Sequence, residues 1–170
     1  RDPAGQVSGI PMLCDPACGA GVFLVAAVEF VSHGYNVSVE NVVFSFIRGF
    51  DVSAHAVASS RETLQALMLW SGVPAADARR VAAAAVVVCD TLLAPIESLN
   101  LQLGSGPRVL IGNPPYVKLQ NLPAAQRRQL LEAYPAFAKG SFSLSLLFLM
   151  RCLDLDGDGV CGIITQNNLF

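Results

Sequence analysis

The stretch "VLIGNPPYVKLQ", Val109 to Gln120, decides the fold. A short apolar run entered from the turn-like Gly104 to Pro107 reads as a buried strand, and it stops at Asn113 and two prolines. Proline carries no backbone donor for a sheet ladder, so Pro114 and Pro115 must end the strand. Whatever follows sits at the strand's carboxyl end, where open parallel sheets hold their ligands.

Working outward, strand-like and helix-like segments alternate. Pro11 to Asp15 reads as a first strand, and the apolar Phe23 to Val31 as a buried helix after a glycine turn. Val42 to Asp51 reads as a second strand, and Ser53 as the cap of a helix from Ala54 to about Trp70, with Val57, Leu64, Leu67 and Met68 inward. Val81 to Cys89 reads as a third strand and Val109 to Gly112 as the fourth. Gln126 to Tyr134 and Phe142 to Leu153 read as helices, and Val160 to Thr165 as the fifth strand. Such alternation predicts an α/β fold, a parallel doubly wound sheet with helices on both faces. Only a handful of residues precede the first strand and Gln166 to Phe170 begins a connection after the fifth. The expectation is therefore one excised, incomplete core over residues 1 to 170, truncated after the fifth strand.

Composition narrows the function. With 170 residues, 53% hydrophobic and 14% charged, the chain can bury one substantial core. A membrane span needs roughly 18 or more uncharged residues, which the interrupted apolar runs do not supply. Arg1-Asp2-Pro3 lacks the basic-then-apolar layout of a signal peptide. Five cysteines without framework spacing, with Cys14, Cys89 and Cys161 in predicted strands, read as buried thiols in a reducing cytoplasm. A net charge of -2 gives no basic field for phosphates, so a nucleic-acid partner must be gripped mostly from elsewhere.

In strand order 3-2-1-4-5 the first and fourth strands are neighbours, and their carboxyl ends share one crevice. Those ends are "DPACGAGVFL", Asp15 to Leu24, and "NPPY", Asn113 to Tyr116. Gly19 and Gly21 permit a tight turn and close approach of a ligand. Leu24 stands where a nicotinamide fingerprint needs its third glycine, which disfavours that cofactor. Asp15 suits a cationic amine, Asp51 the two hydroxyls of a ribose, and Asp90 an adenine amino group. Three carboxylates at successive strand ends suit a ligand carrying an amino acid, a ribose and an adenine.

With both loops in this order, the chain resembles the S-adenosylmethionine-dependent adenine-N6 DNA methyltransferases of restriction-modification systems. "IGNPPYVKLQNL" and "YPAFAKGSFSLSLLFLMRCLDLDGDGVCGIITQNNLF" look most like the large type IIG-like branch, and the resemblance extends over nearly the whole chain. It implies a Rossmann-like class I methyltransferase core whose target-recognition domain lies outside this chain, acting on double-stranded DNA in the cytoplasm. It implies that Asp15 and the loop of Pro16, Ala17, Cys18, Gly19 and Gly21 hold the methionine part of S-adenosylmethionine. Asp51 would hold the ribose, and Asp90 with Thr91 the adenine. Two positions depart: Ser143-Leu144-Ser145 replaces an acidic "DLY"-like element, and Thr165-Gln166-Asn167 replaces "ITPN".

The catalytic logic follows from the amine. Its lone pair is delocalised into the ring, and acceptors for both of its hydrogens pull the nitrogen toward tetrahedral geometry. Asn113 offers its side-chain carbonyl and Pro114 its backbone carbonyl, whose direction Pro115 biases by favouring an extended Pro114. Tyr116 offers an aromatic face for a base flipped from the duplex, worth roughly 1 to 3 kcal/mol. The same NPPY loop would also serve a protein glutamine or a ribosomal RNA amine, although those relatives look more like D-x-G-x-G-x-G at the first loop. A non-catalytic module keeping the fold is the third reading.

Other signals carry less. "DLDGDG", Asp154 to Gly159, imitates a calcium loop but puts Thr165 where glutamate is needed, and it reads as an acidic turn. His33 and His55 lack companions at ligand spacing, so no metal site is expected. Arg127 and Arg128 read as a solvated pair. Since further strands normally complete such a sheet, residues 1 to 170 in isolation are expected to be poorly soluble or inactive.

Overall fold

The computed structural model describes residues 9–137, 142–155 and 159–165. Five parallel strands form one sheet: β1 Met12–Asp15, β2 Ile47–Asp51, β3 Val86–Val88, β4 Arg108–Gly112 and β5 Val160–Ile163. Their order is β3-β2-β1-β4-β5, as the sequence predicts. Cys14 pairs with Leu110, so the carboxyl ends of β1 and β4 lie side by side. Helices α1 Val22–Tyr35, α2 Val39–Phe46, α3 Ala54–Trp70, α4 Ala75–Ala85, α5 Ile96–Leu103, α6 Ala124–Ala133 and α7 Leu144–Leu155 surround the sheet. The architecture is Rossmann-like α/β, a parallel doubly wound sheet with helices on both faces.

Successive residues of β1 feed opposite faces, as strand geometry requires. Leu13 joins a core with Leu24, Val28, Val42, Leu64 and Met68 from α1, α2 and α3, into which α4 also packs. Cys14 joins Phe50, Leu99, Leu103, Leu110 and Leu155 on the other face, beneath α5 and α7. A third cluster, Leu92, Leu119, Leu130, Leu144, Leu147 and Phe148, gathers above the carboxyl ends of the strands.

Two expectations need correction. The second strand begins at Ile47, not Val42, because Ser38 caps a helix by accepting from the Asn41 backbone N–H at 3.4 Å. The third begins at Val86, not Val81, because α4 runs through the alanines 82–85, the best helix formers, directly into the strand. Both buried runs are thus a helix and a strand joined end to end. Cys89 lies just past β3, although its N–H still continues the ladder to the Asp51 carbonyl at 2.9 Å. Helix α5 is additional to the predicted elements.

The predicted cap of α3 is present, with the Ser53 hydroxyl accepting from the Ala56 N–H at 3.3 Å. The unpaired edge of β3 is covered by Arg61, whose guanidinium donates twice to the Val86 carbonyl at 2.9 and 2.7 Å. Among the described residues no single helix is long and apolar enough to cross a membrane. Gln166 and the central part of the acidic turn, residues 156–158, lie outside the described residues.

Candidate functional site

The Asp15 to Gly21 loop is built by its backbone. Gly19 and Gly21 have φ of 53° and 86°, the left-handed region open to glycine at little cost. A side chain at Gly21 would also lie 2.5 Å from the Ser60 hydroxyl, so the start of α1 packs against the body of α3 because the residue is glycine. The loop is tied across the sheet: the Cys18 N–H donates to the Phe50 carbonyl at 2.9 Å, and the Gly19 N–H to Asp51 Oδ2 at 3.0 Å.

The three carboxylates occupy different settings. Asp15 is 1% exposed, and its Oδ1 accepts from the Ala17 N–H at 3.0 Å. Burial raises its pKa to about 7, which the Ala17 N–H partly opposes and the nearby Asp51 reinforces. Asp51, half-buried at the end of β2, accepts from Gly19 on Oδ2 and from the Ser53 N–H on Oδ1 at 2.8 Å. Each oxygen keeps a second lone pair for a ligand hydroxyl. Asp90 folds its Oδ1 onto the N–H groups of Leu92 and Leu93 at 3.1 and 3.2 Å. Burial lifts the Cys18 thiol to about 12 and raises Cys89, so both are neutral neighbours of the carboxylates at physiological pH.

A cavity of about 360 Å³ opens over these strand ends. Of the residues named from sequence, Pro16, Ala17, Asp51, Asp90, Thr91, Asn113 and Pro115 line it together. Asp15, Cys18, Gly19, Gly21, Pro114 and Tyr116 are absent from its wall; Asp15 and Cys18 lie buried beneath the loop. The remaining wall is Val52, Cys89, Leu92, Gln126, Leu130, Leu144 and Phe148, none of which the motifs single out. Leu144 and Phe148 fall one helical turn apart on α7, a spacing that marks a shared face without saying whether it meets core or ligand. The cavity therefore has an acceptor-lined side at β2 and β3 and an apolar side at α6 and α7.

At the NPPY loop, Pro114 is buried while Asn113, Pro115 and Tyr116 are exposed. The Tyr116 hydroxyl donates to Asn113 Oδ1 and lies 3.3 Å from the Ile164 carbonyl. The chain leaving this loop is pinned by a bridge between Lys118 and Ser143, in which the Leu119 N–H donates to Phe142 at 2.9 Å and the Leu144 N–H to Val117 at 2.8 Å. Ser143, one of the two departures, pairs its hydroxyl with that of Ser145 at 2.6 Å. Among the described residues, no cluster of His, Cys, Asp and Glu could hold a metal ion.

Comparison with known proteins agrees with this geometry. The family model "Eco57I restriction-modification methylase" matches residues 103–170, which include Asn113 to Tyr116. The chain is 28% identical over 156 residues to Type II methyltransferase M.XhoI of Xanthomonas vasicola, covering 86% of this chain and 27% of that protein. The chain thus spans about a quarter of the length of the curated relative it matches. The matched family is named for a restriction-modification methylase and the relative for a type II methyltransferase.

Proposed function

We propose that this chain is the catalytic core, spanning residues 1 to 170, of a site-specific DNA methyltransferase acting on adenine N6, with S-adenosylmethionine as methyl donor. The carrying observation is the single cavity into which Asp51, Asp90 and Asn113, from three different strand ends, all open. The wall fits the donor: acceptor-only carboxylates suit a ribose and an exocyclic amine, and Val52, Leu92, Pro115, Leu144 and Phe148 offer a dry slot for a purine. Asp15, under the loop, is the acceptor for the ammonium end. When bound, the cofactor would supply an electrophilic methyl carried on its sulfonium, with the neutral thioether S-adenosylhomocysteine as the leaving group.

The chain's own residues prepare that amine. Asn113 Oδ1 and the Pro114 carbonyl accept its two hydrogens and localise the nitrogen lone pair; the methylated nitrogen then releases one proton toward these acceptors or water. Pro115 favours an extended Pro114 and so helps fix that carbonyl before the substrate arrives, as a preorganised acceptor should be. Because the Tyr116 hydroxyl occupies Asn113 Oδ1, the entering base replaces it as donor, which frees the phenol ring to stack on the flipped adenine. Recognition of a DNA sequence falls to residues outside this chain, and methylation of host DNA places the protein in the cytoplasm.

The test uses the intact parent gene, with and without Asn113→Ala, in a host free of DNA methylation, with N6-methyladenine mapped by single-molecule sequencing. Marks at one short sequence that vanish in the variant are expected. Soluble, cofactor-binding protein that leaves no marks on DNA would overturn the DNA reading in favour of a protein or RNA amine, or of a module without turnover.

A further inference from the structure

The connection after β3 has almost no regular structure, yet Asp90, Thr91 and Leu92 line the cavity. What holds it comes from far away in sequence. The Tyr134 hydroxyl, at the end of α6, donates to the Leu92 carbonyl at 2.8 Å. Arg151, on α7, donates through Nε to the Thr91 carbonyl at 2.9 Å and through Nη2 to the Ala94 carbonyl. The Thr91 hydroxyl passes the restraint on to the Pro16 carbonyl in the first loop, at 2.8 Å. Three carbonyls within four residues are thus fixed by two side chains, neither of which lines the cavity.

The chemistry of the two donors fits such a task. A guanidinium fork is planar, so two bonds to carbonyls of one turn define that turn's orientation as well as its position. Burial raises the Tyr134 pKa, which keeps the phenol a neutral donor. Both residues follow Asn113 to Tyr116 in the chain, and α7 starts from the very bridge that pins the exit of the catalytic loop. Thr91 and Leu92 are buried, so their carbonyls depend on these donors, and two long side chains give up rotamer freedom to supply them.

We infer that Tyr134 and Arg151 are positioning residues which, through the Thr91–Ala94 backbone, shape the subsite for the cofactor's adenine and tie it to the elements carrying the catalytic loop. This rests on the proposed cofactor site. Neither side chain touches the ligand; each acts through the carbonyls it holds, and Asp90 and Leu92 move with them.

The test is made in the full-length parent protein carrying Tyr134→Phe, Arg151→Lys or both. Calorimetry reads the affinity for S-adenosylhomocysteine and for adenosine, which reaches only the adenine and ribose positions. Losing one such hydrogen bond should weaken both probes by roughly three- to tenfold in each single variant. Because the two donors hold one turn, the double variant should lose less than the product of the single effects. KM for the cofactor should rise by the same factor, while kcat at saturating cofactor and KM for DNA stay within about twofold of the parent. A general loss of structure would instead lower kcat and weaken DNA binding together, and would overturn the assignment. Affinities equal to the parent in both single variants would overturn it as well and leave the proposed site intact. A parent that binds neither probe would overturn the cofactor site and this inference together.

Discussion

Gly112 joins the two loops at the scale of single atoms. A methyl group placed there would lie 2.7 Å from Asp15 Oδ1 and 3.2 Å from its carboxyl carbon. That same oxygen accepts from the Ala17 N–H, so it cannot retreat without disturbing the Asp15 to Gly21 loop. Gly112→Ala should therefore cost about 1 to 3 kcal/mol, as overpacking does, and weaken S-adenosylhomocysteine binding in the full-length protein. Gly106→Ala, where an added Cβ meets nothing within 4 Å, is the matched control and should leave both thermal melting and binding unchanged. Asp15 also predicts a pH dependence. Its pKa in the folded chain, about 7, is raised, chiefly by burial, so the folded state favours the protonated acid. The resulting stability is fully present below the unfolded carboxyl pKa near 4 and is lost as pH rises through about 7. Binding of an ammonium group has the opposite sign, because it needs the carboxylate. Affinity for S-adenosylhomocysteine should rise between pH 6 and 8, and Asp15→Asn should flatten both profiles; a flat affinity profile in the parent would remove Asp15 from the amine's site. That the two loops end neighbouring strands was legible in "DPACGAG" and "NPPY". Their contact through Gly112 was not, because it depends on the register of β1 against β4.

Among the secondary elements, the legible ones carry their own boundary chemistry. Helix α3 starts at Ala54, as its Ser53 cap predicts, and ends at Trp70. Removing the cap with Ser53→Ala should cost about 1 kcal/mol and lower the melting temperature, with cofactor affinity altered only through the neighbouring Asp51. The illegible elements are those in which a helix runs into a strand without a break. Val42 to Ile47, broken only by Ser45, and Val81 to Val88 are apolar stretches that pass from helix to strand. Such short, mostly apolar stretches hold too few polar positions to reveal a period, and no glycine or proline marks the change. The same ambiguity hid the cavity's apolar wall. Leu130, Leu144 and Phe148 read as core because ligand and core demand the same side chains, and only the position of α6 and α7 above the strand ends distinguishes them.

Over the whole molecule, the charge and the two sheet edges decide how this core behaves. A net charge of -2 leaves little electrostatic attraction for duplex DNA, in keeping with a relative almost four times longer than the matched segment. The edges differ in finish. At β3, Arg61 satisfies the outermost carbonyl, so that side is blunted. Among the described strands, β5 pairs only with β4, and Val160 is 64% exposed with Ile164, Leu153 and Met150 also outside the core. An edge strand with exposed apolar side chains offers a template for another chain. The segment of residues 1 to 170, expressed by itself, should therefore self-associate through β5, seen as concentration-dependent size in sedimentation. A lysine on that edge introduces charge repulsion between copies while leaving the ladder to β4 intact, since Val160 pairs with Val109 through its backbone. Val160→Lys should raise the soluble, monomeric fraction without lowering the melting temperature by more than a surface change does, about 0.5 kcal/mol. Undiminished association in that variant would locate the sticky surface elsewhere, the exposed Trp70 and Leu101 being the next apolar groups to replace.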